Sequence, residues 1–151
     1  MITKRDALVA ILTMSLTLCA IAVAQTGAPV MGSSIFDWKT IEVKPTKIGS
    51  TRKFFQAPTA TLDELECHVT TLNPGETPHP PHQHPDEELI IVKEGMVEAL
   101  VNGQIKQVEA GSVIFQASNQ MHGIRNVGQT PATYHVIRWN SPGMLKAKQK
   151  P

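Results

Sequence analysis

Ten residues, His79 to Glu88, carry three histidines and three acids in the segment HPPHQHPDEE, after which the chain turns apolar in LIIV. Imidazole and carboxylate are the side chains that hold divalent ions or move protons, so their spacing decides whether this is a site or a solvated loop. His82 and His84 stand two apart. In extended backbone they point to the same side, roughly 6–7 Å apart at the backbone, and both rings can reach one ion with bonds of about 2.0–2.1 Å. Glu88 opens the run EELIIVK, where it shares a face with Ile90 and Val92. A carboxylate on an apolar face is costly unless a positive charge meets it, and an ion on His82 and His84 would do so. By alternation Glu87 faces away and Asp86 belongs to the preceding turn, so Glu88 is the preferred oxygen ligand.

A closing ligand comes from GSVIFQASNQMHGIRNVG, where His122 shares parity with Ile124 and Asn126. The expected metal ligands are therefore His82, His84, Glu88 and His122. Glu88 and His79, the latter in the Pro-rich approach TPHPP, are the side chains available for proton transfer, with simple exposure the blander reading of His79. Gln116 and Asn126 are candidates to orient the ligands, as metal-bound histidines require. His135, on ATYHVIRW with Ile137 and Trp139, either lines the cavity or is a satisfied core histidine. Arg125 and Arg138 lie on the faces opposite His122 and His135, which makes them poor partners for an acidic substrate. Phe115 and Met96 are expected in the core, and Cys67, in LECHVTTL, as a buried and inert strand residue.

Short β-type runs must position these side chains. TIEV, TRKFF, LECHVTTL, EELIIVK, MVEALV, QIKQV, SVIFQ, HGIRNV and ATYHVIRW alternate or are wholly apolar, at strand length. Asn102-Gly103 joins two of them, and both residues tolerate the positive φ of a type I′ hairpin turn. Gly75, Gly95 and Gly111 mark further corners. No long amphipathic helix is evident. Many short strands in a chain of this length predict a sandwich or barrel of antiparallel strands.

The N-terminus, MITKRDALVAILTMSLTLCAIAVAQ, reads as an address. Lys4 and Arg5 precede an almost uncharged run, and Ala22-Val23-Ala24 supplies the small residues a signal peptidase accepts. Residues 1–24 are expected to be a signal peptide cleaved before Gln25, sending the protein to the periplasm or outside the cell. An uncleaved anchor is the alternative, disfavoured because Ala, Ser and Thr dilute the apolar run. Residues 25–34 read as a flexible lead-in, 35–140 as one domain and 141–151 as a polar tail. Cleavage leaves 127 residues with 12 basic and 12 acidic side chains and the single Cys67. That length suits one compact core. The neutral balance argues against nucleic acid or an acidic membrane surface as partner. One thiol leaves no internal disulfide, so stability must come from packing or bound metal.

Residues 75–126 resemble the cupin superfamily. Its first motif runs Gly, His-x-His, three or four residues, Glu, six residues, Gly, and His82-Gln83-His84, Glu88 and Gly95 match that core. Gly75 stands one residue farther from His82 than usual. In the second motif Gly111, His122 and Asn126 match, while Ala117 and Asn119 stand where Pro and Gly are usual. The resemblance implies an all-β, antiparallel jelly-roll barrel of six to eight strands, a metal held inside by the four residues above, and protomers paired as homodimers.

Three nitrogens and one oxygen leave open positions on an ion that prefers six, and imidazole with carboxylate suits Fe, Mn, Ni or Zn. The chemistry open to such a site is polarisation of an oxygen-bearing substrate or activation of dioxygen beside it. The expected function is thus an exported mononuclear metal-binding cupin, a dioxygenase-like oxidoreductase acting on a small metal-chelating organic substrate. The alternatives are a non-catalytic binding module and a cupin-type isomerase or decarboxylase.

Overall fold

The structure, a computed structural model, describes residues 28–144. The expected signal peptide and most of the expected C-terminal tail lie outside those residues. Among the described residues, alternating and apolar runs form nine strands: β1 (Lys44–Thr46), β2 (Gly49–Ala57), β3 (Glu64–Leu72), β4 (Glu87–Glu94), β5 (Met96–Val101), β6 (Gln104–Glu109), β7 (Val113–Gln116), β8 (His122–Asn126) and β9 (Ala132–Asn140). Eight of the nine expected runs overlap a strand. The exception is TIEV, which gives way to a turn and bend, and a three-residue strand follows it at Lys44. No helix among the described residues is long and apolar enough to cross a membrane.

Two antiparallel sheets face each other, one ordered β1-β2-β3-β9-β4-β7 and the other β6-β5-β8. The fold is an all-β jelly-roll barrel. Sequence neighbours are often not sheet neighbours: β9 returns from the end of the domain to lie between β3 and β4. Where neighbours do pair, local chemistry sets the turn. Val101 pairs with Gln104 across Asn102 (φ 52°) and Gly103 (φ 73°), the expected hairpin with positive φ at both central residues.

The interior is graded along the barrel. Leu72, Val92, Ala132 and Tyr134, each at most 2% exposed, close one end with Val97 and Ala99. The register carries each strand from that plug towards a polar end. Across β4 and β9, Val92 pairs with Tyr134, Ile90 with Val136 and Glu88 with Arg138. Across β3 and β9, Leu72 pairs with Ala132, Thr70 with Tyr134 and Glu66 with Arg138. Each fully buried aliphatic side chain of the plug contributes roughly 1.5–3 kcal/mol by leaving water. That apolar end supports a polar cavity at the other.

Phe115 and Met96, expected in the core, are 49% and 40% exposed. Their strands do alternate, but Ile114 and Val97 take the inner positions instead. Cys67 is a free thiol, half-buried, with its pKa raised by burial and by the charge of Glu66, as suits an inert strand residue.

Candidate metal centre

Hydrogen bonds zip the loop before β4 along β8 and so bring two distant histidines together. His82 N donates to His122 O (3.0 Å) and His122 N to His82 O (2.9 Å), a reciprocal antiparallel pair that sets the two side chains beside each other. The loop is also held by Asn126 N to Glu76 O (2.9 Å), Gly75 N to Asn126 O (3.0 Å) and the Thr77 hydroxyl to Ile124 O (2.7 Å). Asn119 N donates to His84 O at 2.7 Å with φ at 57°, so asparagine supplies the left-handed turn where the family pattern has glycine.

The three imidazoles enclose a point. Ring centroids lie 4.5 Å apart for His82 and His122, 4.7 Å for His84 and His122, and 5.2 Å for His82 and His84. Their ligating nitrogens all fall within 4.8 Å of one another. Glu88 adjoins them, with Oε2 3.8 Å from His84 Nε2 and its side chain 14% exposed. His79 sits at the rim, exposed, its ring edge-on to His82 at 4.1 Å.

The donor set fits a divalent ion. His122 Nδ1 donates to Gln120 O (2.8 Å) and His84 Nδ1 to Asp86 O (3.1 Å), which fixes each tautomer and leaves Nε2 with a free lone pair. His122 Nε2 and His82 Nδ1 are buried and have no protein partner. A buried acceptor without a donor is costly, and a cation at the centre of the cluster relieves that cost.

His82 has its pKa lowered to about 4, first by burial and then by the charges of His79, His122, His84 and Arg138. Its ring is therefore neutral and able to ligate at neutral pH. Between the ordinary value of 6.5 and about 4, the unfolded chain binds a proton here that the folded chain does not. The metal-free protein is expected to lose stability as pH falls through that window, with no further loss from His82 below it. Melting temperature against pH checks this, with His82→Gln flattening the curve; an unchanged slope in the variant would refute it.

A cavity of about 240 Å³ opens beside the cluster, lined by His68 and Thr70 of β3, Gln116 of β7, and Tyr134, Val136 and Arg138 of β9. Gln116 is 3% exposed, and its Oε1 is buried without a protein partner, facing that space. The Tyr134 phenol is pushed up by burial, with the charge of Glu88 adding to it, so it stays protonated beside its partner Thr70.

Several side chains lie elsewhere than the sequence suggested. Parity on β9 is as expected, but the inner face carries Tyr134, Val136 and Arg138. His135 faces outward onto Trp38 and Phe54, with ring centroids 6.1 and 6.2 Å away. This strand is covered on both faces, so alternation alone does not say which face is inner. Arg138 accordingly enters the site, its Nε 3.4 Å from Asp86 Oδ2 and 3.6 Å from Glu66 Oε2. Asp86 is buried beside that guanidinium, 6% exposed, and Glu87 accepts from the Trp139 indole at 2.9 Å on the outer face. Arg125 is exposed as expected and donates to Gly75 O.

Asn126 does not orient a ligand. Its amide donates to Leu72 O and Thr130 O (both 2.9 Å) and accepts from Gly128 N (2.9 Å), pinning the β8–β9 corner at full burial. Asn126→Ala strands three backbone groups, and at roughly 1–3 kcal/mol for each unmade bond it is expected to cost about 3 kcal/mol or more. Urea unfolding of the metal-free protein measures it.

Glu66, His68 and Thr70 escaped the sequence reading, which attended to Cys67 between them. The signal was present: three polar residues of one parity lead to the apolar Leu72 in ELECHVTTL.

A two-sheet antiparallel barrel that gathers imidazoles at its open end defines the small jelly-roll barrels with an interior polar site. Residues 68–138 match the family model described as a cupin domain, so that segment of the chain is a cupin domain. No curated protein matches it. Among solved structures, an RmlC-like cupin from Shewanella frigidimarina is similar, at 19% identity and a TM-score of 0.59 over 73% of this chain and 94% of that one. The polyketide cyclase RemF from Streptomyces resistomycificus reaches 20% and 0.58, over 74% of this chain and 82% of that one. A predicted oxalate decarboxylase from Thermotoga maritima gives 18% and 0.57, over 71% of this chain and 99% of that one. At these identities the likeness speaks for the fold.

Proposed function

We propose that the protein is an exported, mononuclear metal-dependent enzyme that acts on a small metal-chelating organic molecule. The observation that carries this reading is the trio His82, His84 and His122, the first two part-buried and the last buried, with His82 Nδ1 and His122 Nε2 bare, beside a cavity of about 240 Å³. Glu88 is the fourth ligand, and Fe, Mn, Ni or Zn suits this set. Such an ion polarises a bound oxygen or supports reaction with dioxygen. The chain's own residues position the substrate: Gln116 offers a buried acceptor, and Arg138 sits between two carboxylates. With Glu66, Asp86 and Glu88 against one guanidinium, a divalent cation brings the cavity to near neutrality, which favours a neutral ligand or a monoanion over a polyanion.

Dioxygenase-like oxidation is the proposed reaction. Protein loaded with Fe(II) or Mn(II) is expected to consume oxygen when offered catechols, flavonols or β-diketones, followed with an oxygen electrode. Firmly bound metal with no turnover would replace the enzyme by a binding module. The signal peptide belongs to the same proposal and is tested by N-terminal sequencing of protein from its host, expected to start at Gln25. Homodimer formation is also proposed, supported by the exposed apolar side chains of Ile105, Val113 and Phe115. Light scattering measures it.

A further inference from the structure

The wall facing the three-histidine cluster carries a second piece of chemistry. His68 Nδ1 lies 2.7 Å from Glu66 Oε1, and the two side chains are 28% and 7% exposed. The carboxylate is buried behind the ring, while the ring itself reaches the cavity. An imidazole whose Nδ1–H is held by a carboxylate presents a bare Nε2, the arrangement of an oriented general base. Burial would raise the pKa of Glu66, but the hydrogen bond from His68 and the charges of Arg138 and Lys53 lower it, so it is an anion at neutral pH.

The sheet sets the separation. Glu88, Arg138 and Glu66 lie in one register line across β4, β9 and β3. Two strand spacings of about 4.8 Å put β3 roughly 10 Å from the Glu88 strand. That gap accommodates a small molecule with one end at the cluster and the other at His68. Glu66 has no purely packing reason to be there: its Oε2 is buried without a hydrogen bond, beside the Arg138 Nε at 3.6 Å. An apolar pair would fill the same space at less desolvation cost.

We infer that His68, oriented by Glu66, takes a proton from the molecule bound at the three-histidine cluster, and that this molecule is a small carbonyl compound with an acidic hydrogen. The inference rests on the proposed metal site. In the step, the C–H bond next to the carbonyl breaks and its electron pair becomes the new C=C bond. The carbonyl π pair moves onto oxygen, and the proton forms N–H at His68 Nε2. The same deprotonation opens both oxidative and non-oxidative reactions, so it does not depend on dioxygen. Glu66 is a positioning residue that holds the ring.

The test uses Zn(II)-loaded protein in D₂O with hydroxyacetone and, separately, pyruvate. Proton NMR follows deuterium entry at the carbon beside the carbonyl. Wild type is expected to exceed free Zn(II) by about 10²-fold or more with at least one probe. His68→Gln should return the rate to background with metal content unchanged, and added imidazole should partly restore His68→Gly. Glu66→Gln should lower the maximal rate about tenfold while the half-saturating probe concentration holds. Independently of metal, long-range ¹H–¹⁵N spectra of the metal-free protein should show His68 as the Nδ1–H tautomer, and Glu66→Ala should shift it towards Nε2–H. Exchange in His68→Gln at the wild-type rate, or in neither probe with the wild type, overturns the inference while the metal site stands. Failure of the wild type to bind Zn(II) removes the metal site itself.

Discussion

Replacing His122 by alanine is expected to lower metal affinity by more than 100-fold while the barrel still folds. Removing even the hydrogen-bond partners behind metal ligands commonly costs 10–100-fold, so losing one of the four proposed ligands should exceed that range. His122 is 3% exposed, and its ring is one of the three that meet. Its contribution to the fold runs mainly through backbone, the reciprocal bonds with His82, which alanine keeps. The small void should cost far less than the domain's stability. Metal analysis after exhaustive dialysis should find about one equivalent in the wild type and under a tenth in the variant. Glu88→Gln should fall between the two. Glu87→Ala is the control, since its carboxylate serves the Trp139 indole on the outer face. Full metal retention in His122→Ala would show that the cluster is not the binding site.

Gly95→Ala should be the most destabilising single methyl in the motif region. Gly95 turns the chain from β4 to β5 at φ 82°, a conformation that costs an L-residue about 1–2 kcal/mol. A Cβ there would also stand 2.7 Å from Ala132 Cα and 2.9 Å from Pro131 O. Those are backbone atoms, and Ala132 is fully buried in the plug, so neither can rotate away. Overpacking of that kind adds roughly 1–3 kcal/mol. The sum is about 3 kcal/mol or more, a fall of roughly 10–20 °C in melting temperature for a domain of this size. The glycine is thus needed where the β4–β5 corner meets the start of β9, several residues from the proposed ligands. A drop of under 3 °C would mean the corner is looser than its geometry indicates.

The two effects separate the roles of the motif residues. His122→Ala should empty the site with little change in melting of the metal-free form. Gly95→Ala should loosen the barrel, and its metal loss should follow unfolding. Asn126 groups with Gly95, although the sequence alone suggested a place beside the ligands.

Local patterning determined most of the strands, the Asn102-Gly103 hairpin and the pairing of His82 with His84, because alternation and turn chemistry act over a few residues. It also separated Glu88 from Glu87, since their opposite faces follow from period two. Only the tertiary structure decided which side of β9 is the interior: both sides are apolar enough to be covered, and the returning strand receives its inner face from β3 and β4, distant in sequence. The same non-local pairing brought Glu66 and His68 opposite the histidine cluster and moved Arg138 inside, and no reading of one strand at a time contains that juxtaposition.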